Sequence, residues 1–216
     1  GLKWTDPIRL VQFGDCERGW AIDPQQYPHL IAGTLKGAPR LVAHNASFDL
    51  PRLARLVAPD DPKSCLHDLA SKCWDTRLMS HVLDPRGREV GAVGHALKDL
   101  SAVHLDGSAP DAQKILKGRF KQLRLKNGYA EIDIWDDAFW QYGVLDTVLT
   151  ARLLEFMGPQ IVERGLSDLT RWEHDIQLFT MVMTLIGLAV ELPLAHAWDE
   201  DLYTRQTNAE ALAASM

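Results

Sequence analysis

Four short apolar runs, all within the first 75 residues, precede an almost unbroken stretch of helical periodicity, and this order limits the fold more than any other feature. Ile8 to Phe13 and Trp20 to Asp23 read as strands joined by the polar turn Gly14-Asp15-Cys16-Glu17-Arg18-Gly19, a hairpin signal. Leu41-Val42-Ala43 and Lys72 to Trp74 read as two further strands. Apolar residues at helical spacing run from Tyr27 to Leu35, and Leu50, Leu53, Leu56 and Val57 mark another helix, with Pro51 tolerated close to its first turn. Asp75 is placed to cap a helix from Thr76 to Leu83. The loop from Asp84 to Gly94 carries Pro85, Gly87, Gly91 and Gly94 without a phosphate-loop or dinucleotide pattern. Helical patterns then dominate from His95 to Gly187, with breaks predicted near Gly107 to Pro110, Asn127-Gly128 and Gly158-Pro159. Beyond Pro159 come a long amphipathic helix, an apolar segment from Leu188 to Leu192 and a last helix from about Ala195. The expected architecture is an α/β domain over 1–158 with a helical extension over 159–216.

Apolar residues make up 46% of the 216, enough for one large core or for one domain and part of a second. The longest apolar stretch, Phe179 to Val190, is interrupted by Thr180, Thr184 and Gly187 and is shorter than the roughly 20 residues of a membrane span, so no membrane partner is expected. Three cysteines, Cys16, Cys65 and Cys73, have no C-x-x-C spacing, which points to reduced thiols and a cytoplasmic setting, in a bacterium or a phage-infected host. Cys65, His67 and Cys73 lack the usual zinc-ligand spacing. The net charge of −6 argues against binding nucleic acid by bulk attraction, so any such contact must be local or carried by metal ions.

Two segments carry chemistry. Asn45-Ala46-Ser47-Phe48-Asp49 follows the third apolar run and places Asp49 near a strand-to-helix junction. Tyr142-Gly143-Val144-Leu145-Asp146 lies in a helical stretch, where positions four apart stand one above the other, so the Tyr142 phenol and the Asp146 carboxylate face the same spot. Taken singly, each pattern is common among ordinary helix residues. Their order, separation and local context together resemble the second and third motifs of the DEDDy 3'-5' exonucleases, and more narrowly the proofreading exonuclease domain of family A DNA polymerases, of phage or actinobacterial type. Cys73-Trp74-Asp75-Thr76-Arg77-Leu78 and Ala96-Leu97-Lys98-Asp99-Leu100 are similar to that family's D-T-x-L and L-K-D-L segments, and Gln141 stands where the histidine subclass has His.

The resemblance implies an RNase H-like mixed sheet with flanking helices, and two Mg2+ or Mn2+ ions held by Asp49 and Asp146, with no small-molecule cofactor. In such sites paired ions orient the attacking water and stabilise the leaving oxygen. It implies that Tyr142 positions the water, that Asn45 and Phe48 help to hold substrate, and that Leu2 wedges against the terminal base of a single-stranded DNA 3' end. The helical extension resembles the connection into the polymerase domain of the same parent chain. The family's first motif, Asp-x-Glu on its first strand, has no counterpart, because Gly1-Leu2-Lys3-Trp4 looks like the loop that follows it. The first strand is therefore expected to be missing from the middle of the sheet, and this chain alone is expected to show little or no nuclease activity.

Lys114, Lys117, Lys121 and Arg124 would form one basic stripe on a helix, able to grip phosphates, although a solvated helix face is the commoner origin of such a pattern. The remaining histidines are expected at surfaces or helix ends, and the tryptophans in the core. Two competing readings are an RNase D-like exoribonuclease and a non-catalytic nucleic-acid-binding scaffold with a degenerate nuclease site.

Overall fold

Asp15 closes the first turn by accepting the backbone N–H groups of Glu17 and Arg18, both at 2.8 Å, which ties a short loop through its own side chain. In the computed structural model, which describes residues 7–105, 109–187 and 189–215, this turn joins β1 (Val11–Gly14) to β2 (Gly19–Ile22). The ladder is antiparallel, with Val11 opposite Ile22 and Gly14 opposite Gly19. The expected hairpin is present, its strands beginning at Val11 and Gly19 instead of Ile8 and Trp20.

A helix, α1 (Pro28–Gly37), leads to β3 (Leu41–Ala43), which pairs in parallel with β4 (Cys73–Asp75). Parallel strands need a crossover, and α2 (Ala46–Val57) and α3 (Pro62–Ser71) supply it. The sequence reading missed α3, whose start is marked by Pro62 at the first position and by Asp61 accepting the Ser64 N–H at 3.1 Å. Then follow α4 (Thr76–Leu83), α5 (Leu97–His104), α6 (Ala109–Gln122), α7 (Gly128–Glu131), α8 (Asp137–Glu163) and α9 (Ser167–Ile186). The fold is mixed α/β, mostly helical, with two small sheets. β1 and β3 are not hydrogen-bonded to each other, and both pack on α8.

The break predicted at Gly158-Pro159 does not occur, since α8 runs through both residues. A proline inside a helix removes one ladder hydrogen bond and costs about 3 kcal/mol. Here Leu153, Met157 and Ile161, spaced four apart, bury one face of α8 against Met79 and Leu100, and that burial outweighs the cost. A second core joins Ile31, Leu35, Leu50, Ala54, Leu66 and Leu69 to Met181 of α9, and a third gathers Leu10, Leu116, Ile132 and Phe139.

The chain divides into two compact units, 1–185 and 186–216, and the second contains α10 (Leu192–Ser215). Among the described residues no helix is long and apolar enough to cross a membrane. One other expectation is corrected: Trp20, Trp135, Trp172 and Trp198 are exposed instead of buried in the core. His44 and His95 stand just before the starts of α2 and α5, the helix-end placement expected of them, and they make internal hydrogen bonds there because the end of β3, the start of α4 and the loop before α5 converge.

Candidate functional site

The N-x-x-F-D segment begins with a strained residue. Asn45 adopts a left-handed conformation (φ 78°, ψ 54°), which asparagine tolerates better than most side chains, and it turns the chain from β3 directly into α2. The turn is held from outside the segment. One oxygen of Asp75 accepts the Asn45 N–H at 2.9 Å and the other accepts the Ala46 N–H at 2.7 Å. Asp75 also caps α4 through the Arg77 N–H at 2.9 Å, and Gln177 of α9 donates to it at 2.5 Å. The sequence reading found the α4 cap and missed the other three donors, which come from residues 29 or more positions away. Beside this turn, His44 bonds Thr76 Oγ1 at 2.9 Å and the His95 carbonyl at 3.0 Å, and burial pushes its pKa down.

Phe48 is 40% exposed and presents its ring beneath the Arg52 guanidinium, 3.9 Å from the ring centroid. Asp49 sits on the first turn of α2. Burial pushes its carboxyl up to about 7, with Arg52 opposing the shift and Asp75 adding to it. Such a carboxylate is held in its charged form at a cost that a bound cation would remove.

Helix α8 carries the second segment. Its start is capped by Asp136, which accepts the Ala138 N–H at 3.0 Å and pairs with Arg119 at 2.7 Å. The β1–β2 hairpin seats on the turn between Gly143 and Thr147. A Cβ at Gly19 would lie 2.7 Å from Val144 Cγ1 and 3.1 Å from its carbonyl, so that close approach requires glycine. Tyr142 and Asp146 stand one turn apart on this helix, as the spacing predicts. Burial, with Tyr129 next to it, raises the Tyr142 phenol to about 12, so at neutral pH it is a protonated hydroxyl.

Lys98, on the first turn of α5, reaches both residues. Its ammonium contacts Asp146 Oδ1 and lies 4.5 Å from the centroid of the Tyr142 ring. Burial lowers the Lys98 pKa to about 8. The sequence reading noted the segment Leu97-Lys98-Asp99-Leu100 but gave Lys98 no role. No local signal links residues 48 positions apart, and only the packing of α5 on α8 joins them.

Asp49 and Asp146 thus have different charged neighbours, Arg52 and Asp75 for one and Lys98 for the other. Among the described residues no three His, Cys, Asp or Glu side chains come together as a metal-holding group. The oxygen donors themselves suit a hard divalent ion such as Mg2+ or Mn2+. Leu2 lies outside the described residues.

Of the basic stripe, Lys114, Lys117 and Lys121 are exposed on α6 and form no ion pair among the described residues. Arg124 does not continue the stripe, because α6 ends at Gln122 and Arg124 turns the chain with φ 54°.

The class follows from comparison with known families. The 3'-5' exonuclease model of family A DNA polymerases matches residues 2–162, and the chain belongs to that family. It is 26% identical over 219 residues to a DNA polymerase of Mycobacterium phage L5, covering 97% of this chain and 35% of that protein. It is 27% identical over 176 residues to a DNA polymerase of Mycobacterium phage D29, covering 78% of this chain and 28% of that one. The chain thus spans about a third of the length of these relatives. No solved structure matches it.

Proposed function

We propose that this chain is the proofreading part of a longer DNA polymerase and removes nucleotides from single-stranded DNA 3' ends in the cytoplasm. The observation that carries this reading is the convergence of Tyr142 and Asp146 on one face of α8, within a chain whose residues 2–162 match the exonuclease family. Asp49 and Asp146 are the proposed ligands of Mg2+ or Mn2+, which when bound supply Lewis-acid activation of water and stabilise the departing oxygen. Tyr142 keeps its proton and orients the attacking water through its hydroxyl. Asn45 and Phe48, whose ring is exposed at the start of α2, are the proposed contacts of the terminal nucleotide, and Leu2 is proposed as the wedge.

The tyrosine subclass and the RNase H-like topology belong to the same proposal. That topology puts a further strand between β1 and β3, which agrees with these two strands packing on α8 without pairing to each other. The segment over 159–216 is read as the connection toward the polymerase domain of the same parent chain.

Hydrolysis of a 5'-labelled single-stranded DNA in Mg2+ or Mn2+ tests the assignment. Trimming is expected to be slow, because two candidate carboxylates without a third make a weak cage, and Asp146→Ala or Asp49→Ala should abolish it. Trimming that survives Asp146→Ala would exclude this site, and faster degradation of RNA than of DNA would favour an exoribonuclease.

A second expected result concerns α6. Replacing Lys114, Lys117 and Lys121 with glutamine should weaken single-stranded DNA binding and reduce the slope of log affinity against log salt by about 0.7 per lysine removed. Fluorescence titration at several salt concentrations reads both, and an unchanged slope would leave this face a solvated one.

A further inference from the structure

The contact between Lys98 and Asp146 has no role in the reaction as described above, yet it occupies the carboxylate that the proposed chemistry needs most. Lys98 Nζ meets Asp146 Oδ1 across the α5–α8 packing, with side-chain exposures of 13% and 28%. A pair this far withdrawn from water attracts more strongly than a surface pair, and it holds one geometry. The face of Tyr142, 4.5 Å from the ammonium, favours a cation at the same spot.

An ammonium and a divalent ion repel each other, so an ammonium held against Asp146 Oδ1 opposes a divalent ion on the same carboxylate. We propose that Lys98 is a positioning residue that acts as the resident counter-cation of Asp146, and that a divalent ion reaches this carboxylate only by displacing it. This rests on the reading of Asp146 as a metal ligand. Lys98 holds the Asp146 side chain in place before the ion arrives, and it raises the ion concentration at which the site fills. The threshold is a property of this one side chain and not of the number of carboxylates in the cage.

Mn2+ binding to the full 216-residue chain, followed by water-proton relaxation, tests the competition without relying on catalysis. Lys98→Met should tighten Mn2+ binding about tenfold. Lys98→Arg, which keeps the charge, should stay near wild type. The gain should vanish in the double variant Lys98→Met/Asp146→Asn. If Lys98→Met does not fold, Lys98→Gln, which keeps a donor but no charge, should tighten binding in the same direction. The proposal fails if neither neutral variant binds Mn2+ more tightly than wild type, if neither binds it at millimolar concentration, or if the gain persists without the Asp146 carboxylate. Should Asp146→Asn weaken binding while the Lys98 variants change nothing, the competition alone is wrong. Should Asp146→Asn leave wild-type affinity intact, the assignment of Asp146 as a ligand falls as well.

Discussion

Asp75→Ala is expected to destabilise the protein by about 3 to 5 kcal/mol, the range for breaking a buried, charged hydrogen-bond network by removing one partner. Asp75 is 1% exposed, and its two oxygens accept from Asn45, Ala46, Arg77 and Gln177. Its own backbone N–H donates to His174 Nε2 at 2.8 Å, so the residue joins the end of β4 to the starts of α2 and α4 and to α9. Truncation leaves four donors without their acceptor in a place water reaches poorly. For a chain of this size the loss corresponds to a fall of roughly 10 °C in Tm, which circular dichroism would read. Amide exchange should also rise first between Asn45 and Asp49, because the turn that aims Asp49 is held by those same two hydrogen bonds. A change under about 1 kcal/mol would show that the network is compensated elsewhere.

The second large effect has the opposite sign. Asp49→Asn should stabilise the protein at pH 8, by up to about 4 kcal/mol, and should leave it equal to wild type near pH 4. The sign follows from the raised folded-state pKa of about 7, against an ordinary value of 3.8. Between those values the native state holds a proton that the unfolded state has released. Stability therefore falls as pH rises from about 4 to about 7, and the full cost of the buried charge remains above that. Asparagine keeps the shape and removes the charge, so the gain appears only where Asp49 would be ionised. Urea denaturation of both proteins at pH 4 and pH 8 provides the check. Mn2+ added at pH 8 should stabilise the wild type more than the variant, which keeps Asp146 as its one proposed charged ligand. A variant less stable than wild type at pH 8 would mean that Arg52 more than compensates burial. A residue that costs stability unless a ligand neutralises it is common where function sets the side chain.

Much of the local architecture was legible in the residues. The Gly14 to Gly19 turn announced the hairpin through Asp15, whose side chain can bond backbone only two and three positions away. The apolar run Leu41 to Ala43 announced β3, and the spacing of Tyr142 and Asp146 set them on one face of α8, since four residues make about one turn. The start of α3 at Asp61 and Pro62 was also written locally and was overlooked. At Pro159 the local rule was read correctly and overruled, because three apolar side chains bury enough surface to carry the helix past a proline.

What the linear order of residues determined is therefore what acts over a few positions: turn closure, helix capping, strand and helix periodicity, and the two motif segments, which lie within the residues 2–162 that match the exonuclease family. Tertiary packing alone decided that Asp75 would hold the turn before Asp49, that Lys98 would meet Asp146, and that β1–β2 and β3–β4 would remain separate ladders on α8. Hydrogen bonds and periodic burial leave a local trace because neighbouring residues share one backbone geometry. The charge surrounding a carboxylate leaves none, because it depends on which distant helices close over it.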